Sequence, residues 1–165
     1  MKARRMIRHL LSGDLAVRAA FPAQSMLAIE QAIRETEATH AGQIRFAVEA
    51  ALDYQALRRD VSARERGIDM FSQLRIWDTE HNNGVLVYLL LADRDVEIVA
   101  DRGIHSRVGS AAWEAICRDM ETVFHLGRFE TGVIDGIHAI GAHLRLHFPC
   151  TPGASNELPD TPLVL

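Results

Sequence analysis

The chain has 165 residues and a mass of 18.4 kDa, enough for one domain that buries about two thirds of its unfolded surface. With 48% hydrophobic and 24% charged residues it has an ordinary globular composition, which excludes a disordered, collagen-like or disulfide-dense chain. Its 18 Lys and Arg against 22 Asp and Glu leave a formal charge of -4, and that excludes a broad nucleic-acid footprint.

The first 22 residues read as a basic segment ahead of the domain proper, helical in pattern and broken at Ser12-Gly13-Asp14 and Phe21-Pro22. Lys2, Arg4, Arg5 and Arg8 interrupt its apolar run, which is too short for the centre of a signal peptide, and no small-residue cleavage site follows. A cytoplasmic protein is expected. This basic start could touch anionic lipid or a partner, but four charges are marginal for either. Over residues 24–39, Met26, Ile29, Ile33 and Thr36 recur at helical spacing, and His40-Ala41-Gly42 closes the helix. The period then drops to two. Ile44, Phe46 and Val48 alternate with Arg45, Ala47 and Glu49, the pattern of a strand with one face less buried than the other. Residues 54–75 carry a stripe of Leu57, Val61, Ile68, Phe71 and Leu74, which predicts one long helix crossing over the sheet.

A polar loop over residues 78–84 leads to residues 85–91, apolar throughout, as a strand covered on both faces must be. Residues 85–92 are the longest apolar run and fall far short of the roughly 20 residues a membrane span needs. A turn-sized insert, 92–95, predicts that a strand over 96–100 returns antiparallel beside its predecessor. Two amphipathic helices follow. One presents Ala112, Ile116, Met120, Val123 and Phe124; the other presents Val133, Ile137, Ile140, Leu144 and Phe148. The last residues, 150–165, hold Pro152, Pro159 and Pro162 and are expected to be an extended tail. The domain therefore spans 23–149, an α/β unit with a mixed sheet and helices on both faces. Cys117 and Cys150 lie too far apart for a CxxC or zinc-knuckle pattern, and neither is expected in a disulfide.

A strand, a crossover helix and a second strand normally make a parallel unit, so the first two strands should point the same way and the third run back. The loops before strands one and two and the exit of strand three then share one edge of the sheet. That edge carries Glu37, Asp78, Glu80 and Asp101, with Asn82, Asn83, His40 and His105 as neutral donors. Carboxylates held close repel one another, and a bound cation relieves them. Oxygen-rich ligands select hard ions, so Asp78, Glu80, Asn82, Asp101 and Glu37 point to calcium or magnesium. The opposite edge holds Glu49, Asp53, Asp93 and Asp95, acids that hairpin turns carry for solubility.

Four segments carry a resemblance. They are Asn82-Asn83-Gly84-Val85-Leu86-Val87, Asp93-Arg94 with Val96-Glu97-Ile98-Val99, Asp101-Arg102-Gly103-Ile104, and Phe129-Glu130-Thr131-Gly132-Val133-Ile134-Asp135-Gly136-Ile137. Over about 23–147 the chain resembles the TPM domain, or TPM phosphatase, family. The resemblance implies a small Rossmann-like α/β/α sandwich. It also implies one of several roles known among relatives: acid phosphatase activity, calcium binding, or modulation of a receptor. The sequence looks like the short cytosolic form, with Trp77-Asp78-Thr79-Glu80 and a Pro-rich end. It has Phe21-Pro22-Ala23-Gln24-Ser25 where relatives often carry an acidic stretch.

A phosphatase without a nucleophilic cysteine needs metal-activated water, or an Asp or His nucleophile, with cations for the phosphate. No phosphate-binding loop is present, and Asp101 and Arg102 are the catalytic candidates. His143 and His147, four apart on the last helix, could face one way as a metal pair, or simply complement the helix C-terminus. The expected role is a calcium- or magnesium-binding regulatory or interaction module. The alternatives are a metal-dependent phosphatase acting on small phosphate esters and a metal-free adaptor for a membrane-associated complex. A protein partner is possible on each of these readings, while substrate and oligomeric state stay open.

Overall fold

A computed structural model describes residues 2–150 and 156–165. Three helices, α1 (Lys2–Leu11), α2 (Asp14–Ala20) and α3 (Ala23–Glu37), precede strand β1 (Gln43–Glu49). The crossover contains α4 (Tyr54–Arg58) and α5 (Ala63–Gln73) and leads to β2 (Gly84–Leu90), which turns into β3 (Asp95–Ala100). Then come α6 (Arg102–Val108), α7 (Ser110–His125), α8 (Phe129–His147) and β4 (Leu163–Val164). The sheet order is β3-β2-β1-β4. β1 and β2 are parallel from Gln43↔Gly84 to Glu49↔Leu90, and β3 runs antiparallel to β2, so the α/β class and the mixed sheet are as expected.

The all-apolar strand β2 lies inside the sheet, and all seven of its residues are buried. Its side chains alternate between two cores, as a period of two requires. Val85, Val87 and Leu89 join Ile44, Phe46 and Val48 beneath α3, α7 and α8, while Leu86, Tyr88 and Leu90 join Ala47 beneath Ala63 and Met70 of α5. Helices cover both faces. Val17 and Phe21 also belong to the larger core, so packing begins ahead of Ala23.

Three local expectations need correction. The single helix predicted over 54–75 is two, because Asp60 turns left-handed (φ 59°), and Ser62 restarts the chain with a reciprocal cap to Glu65. β1 has no exposed face. Arg45 is covered by the carbonyls of Pro159 and Thr161 in the tail, and Glu49 by Arg66 of α5. Finally, Asp101-Arg102-Gly103, read as the exit of strand three, opens a further helix, α6, which Asp101 caps and Gly109 (φ 81°) separates from α7.

The described part of the Pro-rich end, residues 156–165, is extended and enters the sheet, while residues 151–155 of the expected tail lie outside the described residues. Leu163 and Val164 pair parallel to Ala47 and Val48, and Leu158 and Leu163 pack on the smaller core. At the opposite edge, α1 is fastened to the β2–β3 turn. Arg5 Nε donates to Asp93 Oδ2 at 2.9 Å, Arg8 pairs with the same carboxylate, and His9 Nε2 lies 3.1 Å from Asp93 Oδ1. Burial acts to raise Asp93, but these three basic partners outweigh it and hold the carboxyl below its ordinary value. Among the described residues no helix is long and apolar enough to cross a membrane.

Candidate functional site

The loop edge holds two recesses, and the structure divides the expected ligands between them. The first is a cleft of about 520 Å³ at the start of β2 and end of β3, lined by Phe71, Ser72, Trp77, Asn82, Ala100, Asp101 and Arg102. Asp101 follows directly on β3. Its backbone N–H donates to Gly84 O (2.9 Å), and its Oδ1 accepts from Arg102 N–H (2.6 Å) to start α6. The residue is 8% exposed, and its second oxygen, Oδ2, is buried with no hydrogen-bond partner among the described residues. A buried carboxylate oxygen in that state is costly unless a proton, water or cation reaches it.

Backbone contacts that only glycine permits hold the cleft's walls together. A Cβ on Gly103 would stand 2.5 Å from Asn82 O and 2.7 Å from His81 O, so α6 presses directly on the loop before β2. Ile104 N–H donates to Asn82 O at 3.2 Å across this contact, and Asn82 takes a left-handed turn (φ 51°) to present it. Asn83 next to it is fully buried and ties the loop to β1. Its Nδ2 donates to Ala41 O (3.0 Å), and its carbonyl accepts from Gln43 N–H (3.3 Å). Asp101-Arg102-Gly103-Ile104 and Asn82-Asn83-Gly84 therefore build one junction. Arg102 is exposed and makes no ion pair among the described residues.

The other predicted ligands stand apart from Asp101. Asp78 is exposed and pairs with Arg75 at 2.7 Å. Glu80 is exposed on the same loop, and its backbone N–H donates to Glu157 Oε2 at 3.0 Å. Glu37 lines the second recess, of about 250 Å³, with Arg34, His40, Gln43, Asn156 and Asp160. There Glu37 Oε1 accepts from Ile44 N–H at 2.6 Å. Burial, and the neighbouring Asp160 carboxyl, push Glu37 up to about 8 against the pull of that N–H and of Arg45. Asp160 accepts from Asn156 Nδ2 (2.7 Å) and lies 3.5 Å from Arg34 Nε. His40 is 2% exposed, and burial, against a contact with the Gly42 backbone, lowers it to about 4.

Among the described residues no group of three or more His, Cys, Asp or Glu side chains is placed to hold a metal ion. The His143 ring packs edge-on against Trp113 at 5.6 Å, and burial together with His147 lowers its pKa. The carbonyl of His147 accepts from Arg107 Nη1 at 2.8 Å. No disulfide joins Cys117 and Cys150, and burial pushes the Cys117 thiol up to about 12.

The sequence reading missed the partners supplied by the tail. Gln43 Oε1 accepts from the N–H groups of Glu157 and Leu158, and Asp160 meets Glu37. Only the proline content of that segment was informative, and proline marks extension, not destination. It also missed the buried cluster at the opposite edge. Arg66 grips Glu49 with two bonds of 2.8 and 3.0 Å, and Tyr88 O–H donates to Glu49 Oε2 at 2.6 Å.

The family model of the TPM domain matches residues 18–143. The chain belongs to the TPM domain family. The solution structure of the BA42 protein from the psychrophilic bacterium Bizionia argentinensis is similar at 30% identity and a TM-score of 0.78, covering 88% of this chain and 95% of that one. The N-terminal domain of a protein from P. gingivalis, also solved by NMR, shares the fold at 18% identity and a TM-score of 0.58, covering 73% of this chain and 76% of its own. No curated protein matches. The TPM match covers the whole junction of Asn82, Gly84, Asp101 and Gly103 as well as Glu37.

Proposed function

We propose that this TPM domain is a cytoplasmic regulatory or interaction module that binds a hard divalent cation, calcium or magnesium, in the cleft at Asp101. The observation that carries the reading is the buried, unpartnered Asp101 Oδ2 beside Asn82. One carboxylate, one amide oxygen and retained waters suit magnesium, and a calcium ion with backbone carbonyls added is also accommodated by this donor set. Glu37 belongs to the other recess. Glu80 contributes negative charge from the loop that carries Asn82, while Asp78 on that loop is paired with Arg75.

Titration calorimetry and thermal melting with millimolar calcium and magnesium test this. A ligand binding only the native state at a hundredfold excess over Kd adds about 2.7 kcal/mol of stability. Asp101→Asn keeps the acceptor that caps α6 and removes the charge, so the variant should fold and lose the metal-dependent shift. No heat and no shift in the wild type would overturn the reading.

The unpaired, exposed Arg102 in the same cleft favours a second reading, a metal-dependent phosphatase whose Arg102 faces the phosphoryl oxygens. Asp101→Asn should then abolish metal-dependent hydrolysis of an aryl phosphate. Equal rates in wild type and variant, purified in parallel, exclude it. Should metal neither bind nor activate, the third reading, a metal-free adaptor, takes precedence.

A further inference from the structure

Large apolar side chains are rarely left in water together, and here a set of them is. Ile7, Leu10 and Leu11 of α1 are 57%, 73% and 81% exposed, and Leu15 at the start of α2 is 81% exposed. Positions 7, 10 and 11 share one helix face, opposite the face on which Arg5 and His9 are tied to Asp93. That outward stripe is therefore held by the inner contacts and is left uncovered by the described residues.

The charge around it is mainly positive, with Asp14 the exception. Residues 2–20 hold five of the chain's 18 Lys and Arg and, in Asp14, one of its 22 Asp and Glu, which leaves the remainder of the chain strongly negative. Arg4 precedes Ile7 by one turn on the same face, and Arg18 follows Leu15 by one turn; both are exposed. Beside the stripe lies a cleft of about 440 Å³ with an apolar floor of Ala16, Ala20 and Phe129. Arg8 and Arg94 are the only charged residues that line it. Across the α7–α8 turn, Leu126 is 70% exposed, and the next residue, Gly127, lines the same cleft.

We propose that α1, α2 and the α7–α8 turn form a face that docks on an anionic lipid surface. The leucines enter the interface between headgroups and acyl chains, and Arg4, Arg18 and Arg94 meet the phosphates, while Arg8 stays on Asp93. Charge decides for a lipid surface over a second copy of the chain: two copies would bring like-charged rims together, and the negative remainder of the molecule would be repelled from the leaflet, which fixes the orientation. Attachment is peripheral and salt-dependent, because among the described residues no helix is long and apolar enough to span.

The test is sedimentation of the full chain with vesicles of phosphatidylcholine and with vesicles containing half phosphatidylglycerol, at low and physiological salt. The wild type should partition onto the anionic vesicles at least about tenfold better than onto the neutral ones, and salt should weaken it. Leu10→Ser with Leu11→Ser should reduce binding about tenfold or more at unchanged circular dichroism, since both side chains are already in water. Arg4→Gln and Arg18→Gln should each cost about fivefold, the effect of one cation near an anionic leaflet. Equal partition of wild type and the leucine variant, or no partition, overturns the proposal. So does a concentration-dependent dimer in light scattering that disappears in the leucine variant without any vesicle binding.

Discussion

Replacing Glu37 by Gln isolates the second recess from every other titrating group. The Glu37 carboxyl sits at about 8 in the folded protein against an ordinary value of 4.5, first because it is buried and then because Asp160 faces it. A carboxyl raised on folding contributes stability that is fully present below about pH 4.5 and is lost as pH rises through 8. At full value the displacement corresponds to about 5 kcal/mol, and the solvent that still reaches this half-buried group reduces the expected loss to roughly 2–4 kcal/mol. Gln keeps an oxygen to accept from Ile44 N–H and presents an N–H to Asp160, so the recess stays filled. Urea unfolding of both proteins at intervals from pH 5 to 9 reads the difference. Asp95, raised by burial to about 6, titrates in both and cancels. The two should be comparable near pH 5, and the variant should be the more stable by roughly 2–4 kcal/mol at pH 9. Parallel curves across that range would refute the proton-sharing arrangement of Glu37 and Asp160.

Gly103→Ala should destabilise by about 2–4 kcal/mol, because the new Cβ meets two carbonyl oxygens of a backbone that cannot yield cheaply; chemical denaturation measures it, and a loss under 1 kcal/mol would mean the junction is loose. Tyr88→Phe should cost about 1–2 kcal/mol for the lost bond to Glu49, while Glu49→Ala, which strands both Tyr88 O–H and Arg66, should cost about 3–5 kcal/mol. The same denaturation series ranks them, and the reverse order would contradict the buried network.

The strands were legible because each has a period of its own. β2 is apolar at every position and could only be interior, and β1 alternates, so their parallel pairing followed from the helical crossover between them. The same alternation misled at Arg45 and Glu49. A charged residue in a strand normally reports a wet face, yet both are buried here because a guanidinium and a carboxylate can be satisfied internally: Arg45 by tail carbonyls, Glu49 by Arg66 and Tyr88. The break between α4 and α5 was written locally in Asp60, Val61 and Ser62, but an apolar stripe running through Val61 masked it.

The acidic edge shows where topology and site diverge. Placing loops along one edge required strand order alone, and Glu37, Asp78, Glu80 and Asp101 do lie along it. Convergence required knowing what occupies the space between them, and that is the tail. Strand β4 pairs with β1, so residues 156–162 pass the N-terminal end of β1 and bring two further carboxylates, Glu157 and Asp160, to the same edge. Repulsion there is relieved three ways at once: Arg75 takes Asp78, a proton takes Glu37 against Asp160, and the backbone N–H of Glu80 takes Glu157. Among the described residues Asp101, across β2 from this crowd, is the one acid with a buried side-chain oxygen that has no hydrogen-bond partner. A cation supplied from solution therefore has its strongest claim at Asp101, and the neutral Glu37 carboxyl, already holding its proton at pH 7, has the weakest.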